Sequence, residues 1–282
     1  MEQIIKKVKD SIEKMPTLSP LTHKIIQVAN DRKSSAQDLT NVIQLDPVLT
    51  AKVIKMVNSA YFGLPQKVKS LKQTIVMLGI NTVKNVALSS SFAGNVRIKE
   101  KTKLSGNDFW QHSLGVAVAS KLIAKELGVD PKFLEEYFIA GLIHDIGKVL
   151  INNFFSDEMN KILDISSEKN ISIIDIEKQV LKLSHEEIGI AIGKKWNFES
   201  PLLFAVGKHH NPVTTGSSAI VSMIVSIADT FVKILQIGFS GNHKIDPVPE
   251  EVWNALQIDE AKVFAALSPI NEEMEKAKLF LK

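Results

Sequence analysis

The sequence predicts an all-α protein, a helical bundle preceded by a helical N-terminal region, and three observations carry that prediction. Apolar residues recur at spacings of three and four, as in Ile4, Ile5, Val8 and Ile12. Asp-Pro, Ser-Pro and Ser-x-x-Glu pairs stand ahead of apolar segments, and glycines follow several of them. No segment alternates apolar and polar residues between hairpin-turn signals.

The first helix stops in residues 15–20, where two prolines interrupt it, and a second carries Leu21, Ile25 and Ile26. Asp46 ahead of Pro47 reads as an N-cap and first turn, opening a helix through Val48, Leu49, Val53, Ile54 and Val57. It ends near Asn58-Ser59-Ala60-Tyr61-Phe62-Gly63, where Asn58 and Tyr61 could face a partner, although a glycine-closed helix end needs no function to explain it. Ser70 and Gln73 form a capping box for a short helix closed by Gly79, and Asn81 is placed to cap the next, through Val83, Val86 and Leu88.

The apolar pattern lapses over residues 94–107, with charged residues from Arg97 to Lys103. This lapse sets the expected boundary between a basic helical subdomain, residues 1–99, and a second helical subdomain, residues 100–282. A helix over about 108–127 is stopped by Gly128, and another opens at Asp130-Pro131 and continues into residues 140–148. Later helices are signalled by the Ser184 and Glu187 box, by Ser200-Pro201, by the apolar segment 219–237, and by Asp259 and Ser268-Pro269. Residues 171–176 and 220–227 are β-branched enough to be ambiguous, but the second run is long and flanked like a helix. Trp110, Trp196 and Trp253 read as packing residues, and the last helix, with Met274, Ala277 and Phe280, is expected to fold back onto the bundle.

At 282 residues and 45% hydrophobic, the chain can bury a sizeable core. The absence of cysteine excludes disulfides, zinc ribbons, iron–sulfur clusters and thiol nucleophiles. With no apolar run of spanning length and no signal-like core, a cytoplasmic protein without membrane attachment is expected. Charge is uneven: residues 1–99 hold 15 lysines and arginines against 6 acidic residues, net +9, so the remainder is acidic. That suits docking to an acidic protein partner, or two halves attracting one another; the lysines lack the interleaved aromatics of a nucleic-acid groove.

Residues 140–148 read Ala-Gly-Leu-Ile-His-Asp-Ile-Gly-Lys, which sets His144 and Asp145 inside an apolar helix-forming segment. A carboxylate there is costly unless a cation or several donors satisfy it, and a divalent metal held by imidazole and carboxylate is the simplest account. Other candidates lie on apolar helices between residues 108 and 229: Asp108, His112, Lys148, His185, His209, His210 and Asp229. Each has a plain alternative, such as a hydrogen-bonded core histidine or a helix-end charge. Five of seven histidines in that one span make coincidence the weaker account.

The order His112, His144-Asp145, Asp229 resembles the defining pattern of the HD superfamily of metal-dependent phosphohydrolases. Pro16-Thr17-Leu18, Leu45-Asp46-Pro47-Val48-Leu49, the 58–63 segment and Ser70-Leu71-Lys72-Gln73-Thr74-Ile75 are similar to the N-terminal region of HDOD domains. The resemblance implies an all-helical fold and a first metal bound by His112, His144, Asp145 and Asp229. By likeness to HD-GYP phosphodiesterases it implies a second metal at His185, His209 and His210, with Asp145 bridging. Iron or manganese suits such mixed ligands better than magnesium. Asp145 and Lys148 would carry any catalysis, Lys148 contacting substrate phosphate, and Asp108 would be an extra acidic ligand. Asn211-Pro212-Val213 stands where HD-GYP relatives carry Gly-Tyr-Pro, which argues against their route of cyclic dinucleotide hydrolysis. The resemblance therefore implies a signalling module that binds metal and a nucleotide or phosphate ligand and contacts a signalling protein through its N-terminal helices. The alternative is an active phosphohydrolase or phosphodiesterase.

Overall fold

A computed structural model describes residues 2–15, 18–31, 33–95, 98–216 and 218–281; Pro16, Thr17 and Arg97, named above, lie outside them. Among the described residues every regular element is helical, as the periodicity predicts. The N-terminal region contains α1 (Glu2–Lys14), α2 (Pro20–Asn30), α3 (Ala36–Ile43), α4 (Pro47–Val57), α5 (Leu71–Leu78) and α6 (Ile80–Asn95). Asp46 caps α4 as expected, its Oδ1 accepting the backbone N–H of Val48 at 2.8 Å and of Leu49 at 3.0 Å. Ser70 accepts the Gln73 N–H, but the Gln73 side chain turns back to the Lys69 N–H, one residue short of a reciprocal box. Gly79, at φ +84°, ends α5, and α6 begins immediately at Ile80, so Asn81 lies inside the helix rather than capping it. The sequence pattern gives no sign of α3. Its capping box pairs Ser35 with Asp38 instead of a Glu or Gln, and eight residues are too few for a clear period.

The 58–63 segment turns inward. Asn58 donates to the Val68 carbonyl and accepts the Val68 N–H, both at 2.8 Å, and Tyr61 is buried, so neither is offered to a partner.

The second region opens with α7 (Gly106–Glu126), capped by Ser105, and a 3-10 turn at Pro131–Phe133 leads into α8 (Leu134–Ile143). Then come α9 (Ile146–Phe154), α10 (Ser156–Lys169), α11 (Ile173–Leu181), α12 (His185–Lys195), α13 (Ser200–Lys208), α14 (Ala219–Ile234), α15 (Glu250–Leu256), α16 (Glu260–Ala266) and α17 (Ile270–Ala277). The ambiguous run at 171–176 enters α11, a helix. α7 is the central rod, packed by α8 on one side and α14 on another. Gly141 lets α8 approach closely, since a Cβ there would lie 2.6 Å from the Val116 carbonyl oxygen.

Between α8 and α9 the chain departs from the expected continuous helix. His144 ends α8, and Asp145, at φ −96° and ψ 17°, precedes the first residue of α9. Neighbours in a continuous helix point about 100° apart; the break lets both reach one place.

The two regions are joined by packing and by polar contacts. Tyr61 meets Phe138 and Phe280 edge-on, at centroid distances of 5.5 and 5.2 Å, so the C-terminal segment does return to the bundle. The Lys195 ammonium donates to the carbonyls of Ile12 and Glu13, 2.8 Å each. Trp196 is buried against Phe92 and Phe198. Among the described residues no single helix is long and apolar enough to cross a membrane.

Candidate metal centre

Four helix ends and two helix interiors bring the seven predicted ligands together. His112 comes from the second turn of α7 and Asp229 from the middle of α14; His144 and Asp145 come from the α8–α9 break. His185 opens α12 under the reciprocal Ser184 and Glu187 box, and His209 and His210 follow α13. Their donor atoms fall in two groups, each within 4.8 Å: His112, His144 and Asp229 in one, Asp145, His185, His209 and His210 in the other. Asp145 stands between them, with Oδ2 3.3 Å from His144 Nε2 and Oδ1 3.3 Å from His185 Nε2. Asp108 belongs to neither group; its carbonyl accepts the Phe239 N–H at 3.0 Å, and its place in the first turn beside the Ser105 cap is ordinary helix-start chemistry.

Hydrogen bonds on the far side of three imidazoles fix their tautomers. His144 Nδ1 lies 2.7 Å from the Gly141 carbonyl and His209 Nδ1 lies 2.9 Å from the Ala205 carbonyl, so each Nδ1 carries the proton. His185 Nδ1 lies 2.6 Å from Glu177 Oε2. In the neutral rings, lone pairs on Nε2 then face inward. His185 Nε2 is 3.3 Å from His209 Nε2 and 3.2 Å from His210 Nε2. Lone pairs of His185 and His209 so placed repel each other unless a metal ion, or a proton on His209, lies between them.

The first group shows the same want of a cation. His112 Nε2 and Asp229 Oδ1 are 3.0 Å apart, yet both, with His144 Nε2 and Asp145 Oδ1, are buried and make no hydrogen bond. A buried polar atom left unpaired costs about 1–3 kcal/mol. Four of them converging, with nitrogen and oxygen donors in the proportions that mid-row divalent metals accept, fit a metal and fit no apolar core.

Charge is arranged to keep the ligands competent. Burial alone would raise both aspartates, but His144 and Lys148 hold Asp145, and Lys233 and His112 hold Asp229, well below the usual carboxylate range. Burial pushes His112, His185 and His210 down, toward the neutral form that binds metal.

Three contributors went unread in the sequence. Glu177 of α11 is fully buried; burial pushes its carboxyl up to about 8, against the pull of Lys148, and it accepts both the Nδ1 side and the backbone N–H of His185. It sits on the apolar face of α11 with Ile173, Ile174 and Leu181, and an acid on such a stripe is a signal of the kind Asp229 gives. Glu186 accepts the His210 N–H at 2.9 Å. Lys233 donates to Asp229 Oδ2 at 2.7 Å, and with His209, His210 and Asp229 it borders the opening of the site. Lys148, by contrast, is 0% exposed and donates to Asp145 Oδ2 at 2.7 Å.

Comparison with known proteins bears on the family and the fold. The HDOD domain model matches residues 15–212. An HDOD domain protein of Geobacter sulfurreducens superposes with a TM-score of 0.78 at 24% identity, covering 100% of this chain and 99% of its own. A proposed phosphohydrolase of Shewanella amazonensis gives 0.73 at 22%, covering 97% and 98%. Ribonuclease Y of Mycoplasma mycoides is 29% identical over 170 residues, which are 59% of this chain and 33% of the enzyme. The chain spans between a third and two fifths of the length of such curated relatives.

Proposed function

This chain belongs to the HDOD family, and from that footing we propose that it is a signalling module whose HD-type centre binds divalent metal, iron or manganese, together with a nucleotide or phosphate ligand. His112, His144 and Asp229 would hold one cation, His185, His209 and His210 a second, and Asp145 would bridge. The observation that supports the reading is the inward-facing, converging set of Nε2 atoms fixed by their Nδ1 partners.

A bound divalent cation would supply Lewis acidity toward phosphate oxygens. The chain's own residues do the rest. Lys148 orients Asp145 and offsets its charge from beneath. Lys233, on the rim, is the ammonium placed to attract an anionic ligand. Partner contact falls to the N-terminal helices, where net charge is +9 over residues 1–99 and Leu45, Val48, Val76 and Met77 are exposed.

A second reading, a working phosphodiesterase with Asp145 and Lys148 in the catalytic machinery, is favoured by the similarity to ribonuclease Y, named for cleaving RNA. Metal analysis of protein purified with and without oxygen, followed by a general phosphodiester assay with iron or manganese, separates the two. Metal without turnover supports the module; turnover lost in Asp145→Ala supports the enzyme. Wild-type protein that retains no metal from iron or manganese solutions overturns both.

A further inference from the structure

Residues 47–99 hold seven lysines, one arginine and no aspartate or glutamate, although the whole chain balances 34 basic residues against 31 acidic ones. Five of those lysines gather where α4 ends and α5 begins. Asn58, the C-cap of α4, bonds both the N–H and the carbonyl of Val68 at 2.8 Å, and this clip holds the end of α4 beside the approach to α5. Lys52 and Lys55 lie on the last two turns of α4, Lys67 and Lys69 flank the buried Val68, and Lys72 stands in the first turn of α5. All five are exposed, and among the described residues none of them meets a carboxylate. Lysines elsewhere do find partners, as Lys84 does at Glu199 and Lys195 at Glu13. Lys52 and Lys55, three apart on one helix, repel each other, so the cluster costs the folded chain stability rather than adding to it.

Each helix also carries an aliphatic side chain on the same face. Val48, 66% exposed, precedes Lys52 by one turn, and Val76, 78% exposed, follows Lys72 by one turn. Leu45, just ahead of α4, and Met77 are exposed as well. What this surface lacks decides its partner. No aromatic residue among residues 47–95 is exposed: Tyr61 and Phe92 are buried and Phe62 is half-buried. Grooves for single-stranded nucleic acid stack bases on aromatic rings, and contacts at a lipid interface are anchored by tryptophan and tyrosine. A protein segment that sets carboxylates against the lysines and aliphatic side chains against Val48 and Val76 needs no ring.

We infer that the α4–α5 face docks an acidic amphipathic helix of a partner protein, its carboxylates against Lys52, Lys55, Lys67, Lys69 and Lys72 and its aliphatic stripe against the valines. The inference rests on the assignment of partner contact to the N-terminal helices and does not depend on a cation in the metal centre.

The test is fluorescence anisotropy of the full chain with a labelled peptide of about 18 residues, built from Glu, Ala and Leu with the leucines along one helical face. Saturable binding at low ionic strength is expected, weakening as salt is raised. The triple variant Lys55→Glu, Lys67→Glu and Lys69→Glu alters only exposed side chains and should weaken the peptide about ten-fold or more. Val48→Ser with Val76→Ser should weaken it about three-fold or more. Absence of saturable binding at millimolar peptide overturns the inference, as does affinity undiminished in the triple variant. Tighter binding to vesicles of phosphatidylserine and phosphatidylcholine, or to an oligouridylate, assigns the face to lipid or nucleic acid and overturns it too. Manganese uptake by the same preparations is read in parallel. A chain that takes up metal but no peptide loses the docking face alone; one that binds peptide but no metal keeps the face and overturns the metal centre.

Discussion

Glu177 Oε2 lies 2.6 Å from His185 Nδ1 and also accepts the backbone N–H of His185 at 2.7 Å, so one buried carboxylate fixes the position, the ring orientation and the tautomer of a proposed ligand. Carboxylates behind ligating histidines typically matter by about 10–100-fold in metal affinity. Glu177→Gln is expected to lose affinity on that scale while keeping its far-UV circular dichroism. A competition titration with a chromogenic chelator reads the change, and unaltered affinity would remove Glu177 from the centre.

Gly147 sets how closely α9 approaches α12. A Cβ at this position would lie 2.0 Å from the His185 carbonyl oxygen and 2.7 Å from its carbon, both backbone atoms that cannot swing aside. Gly147→Ala should therefore destabilise by about 1–3 kcal/mol or more and displace His185 from its partners. Gly193→Ala, whose first obstacle is the flexible end of Leu203 at 2.7 Å, should cost less. Paired thermal melts compare the two, and equal melting temperatures would contradict the argument.

Protons compete for His209. Burial pushes this imidazole down, but its contact with Asp145 and the charge of Glu186 outweigh that and carry it above its ordinary value. A ligand nitrogen must be unprotonated to bind metal, so affinity is full above the raised pKa and falls as pH drops through it. Apparent affinity for manganese should decline as pH is lowered from about 8 to about 6. The decline should be shallower in His209→Gln, whose side chain does not titrate, and parallel curves would show that the proton sits elsewhere.

Lys121 and Glu135 form an ion pair at 2.5 Å, with the ammonium 3.9 Å from the centroid of the Tyr61 ring. Glu135 is almost wholly buried, so Lys121→Met leaves a carboxylate without its cation, at a cost of about 3 kcal/mol, the lower end for buried pairs because Lys121 is partly exposed. Adding Glu135→Leu should restore most of the loss. Urea denaturation of the single and double variants reads both effects, and a double variant less stable than Lys121→Met would show that the pair is not the source.

Much of the centre was legible because a polar residue on an apolar helix is a contradiction that the sequence displays. His144, Asp145 and Asp229 advertise themselves this way, the clustering of histidines on apolar helices adds His112, His185, His209 and His210, and family likeness assigns their roles. Glu177 gives the same sign, but a lone acid near Asp175 and Lys178 reads as one more charge on a solvated face. The α8–α9 break was illegible for a different reason. Residues 140–148 read as one apolar helix-forming run, and Gly141 and Gly147 are there for close backbone approach, a tertiary demand that the run does not display. Lys233 needed coordinates too, since its role depends on which side of α14 faces the opening.

The connection from α14 to α15 is pinned at its start, where the Phe239 N–H donates to the Asp108 carbonyl and a Cβ on Gly238 would lie 2.2 Å from the His112 nitrogen. Its residues from Phe239 to Lys244 then wall a cavity beside α10, and two residues later Asp246 and Pro247 border the mouth beside His210 and Lys233. One strip of backbone thus serves two compartments.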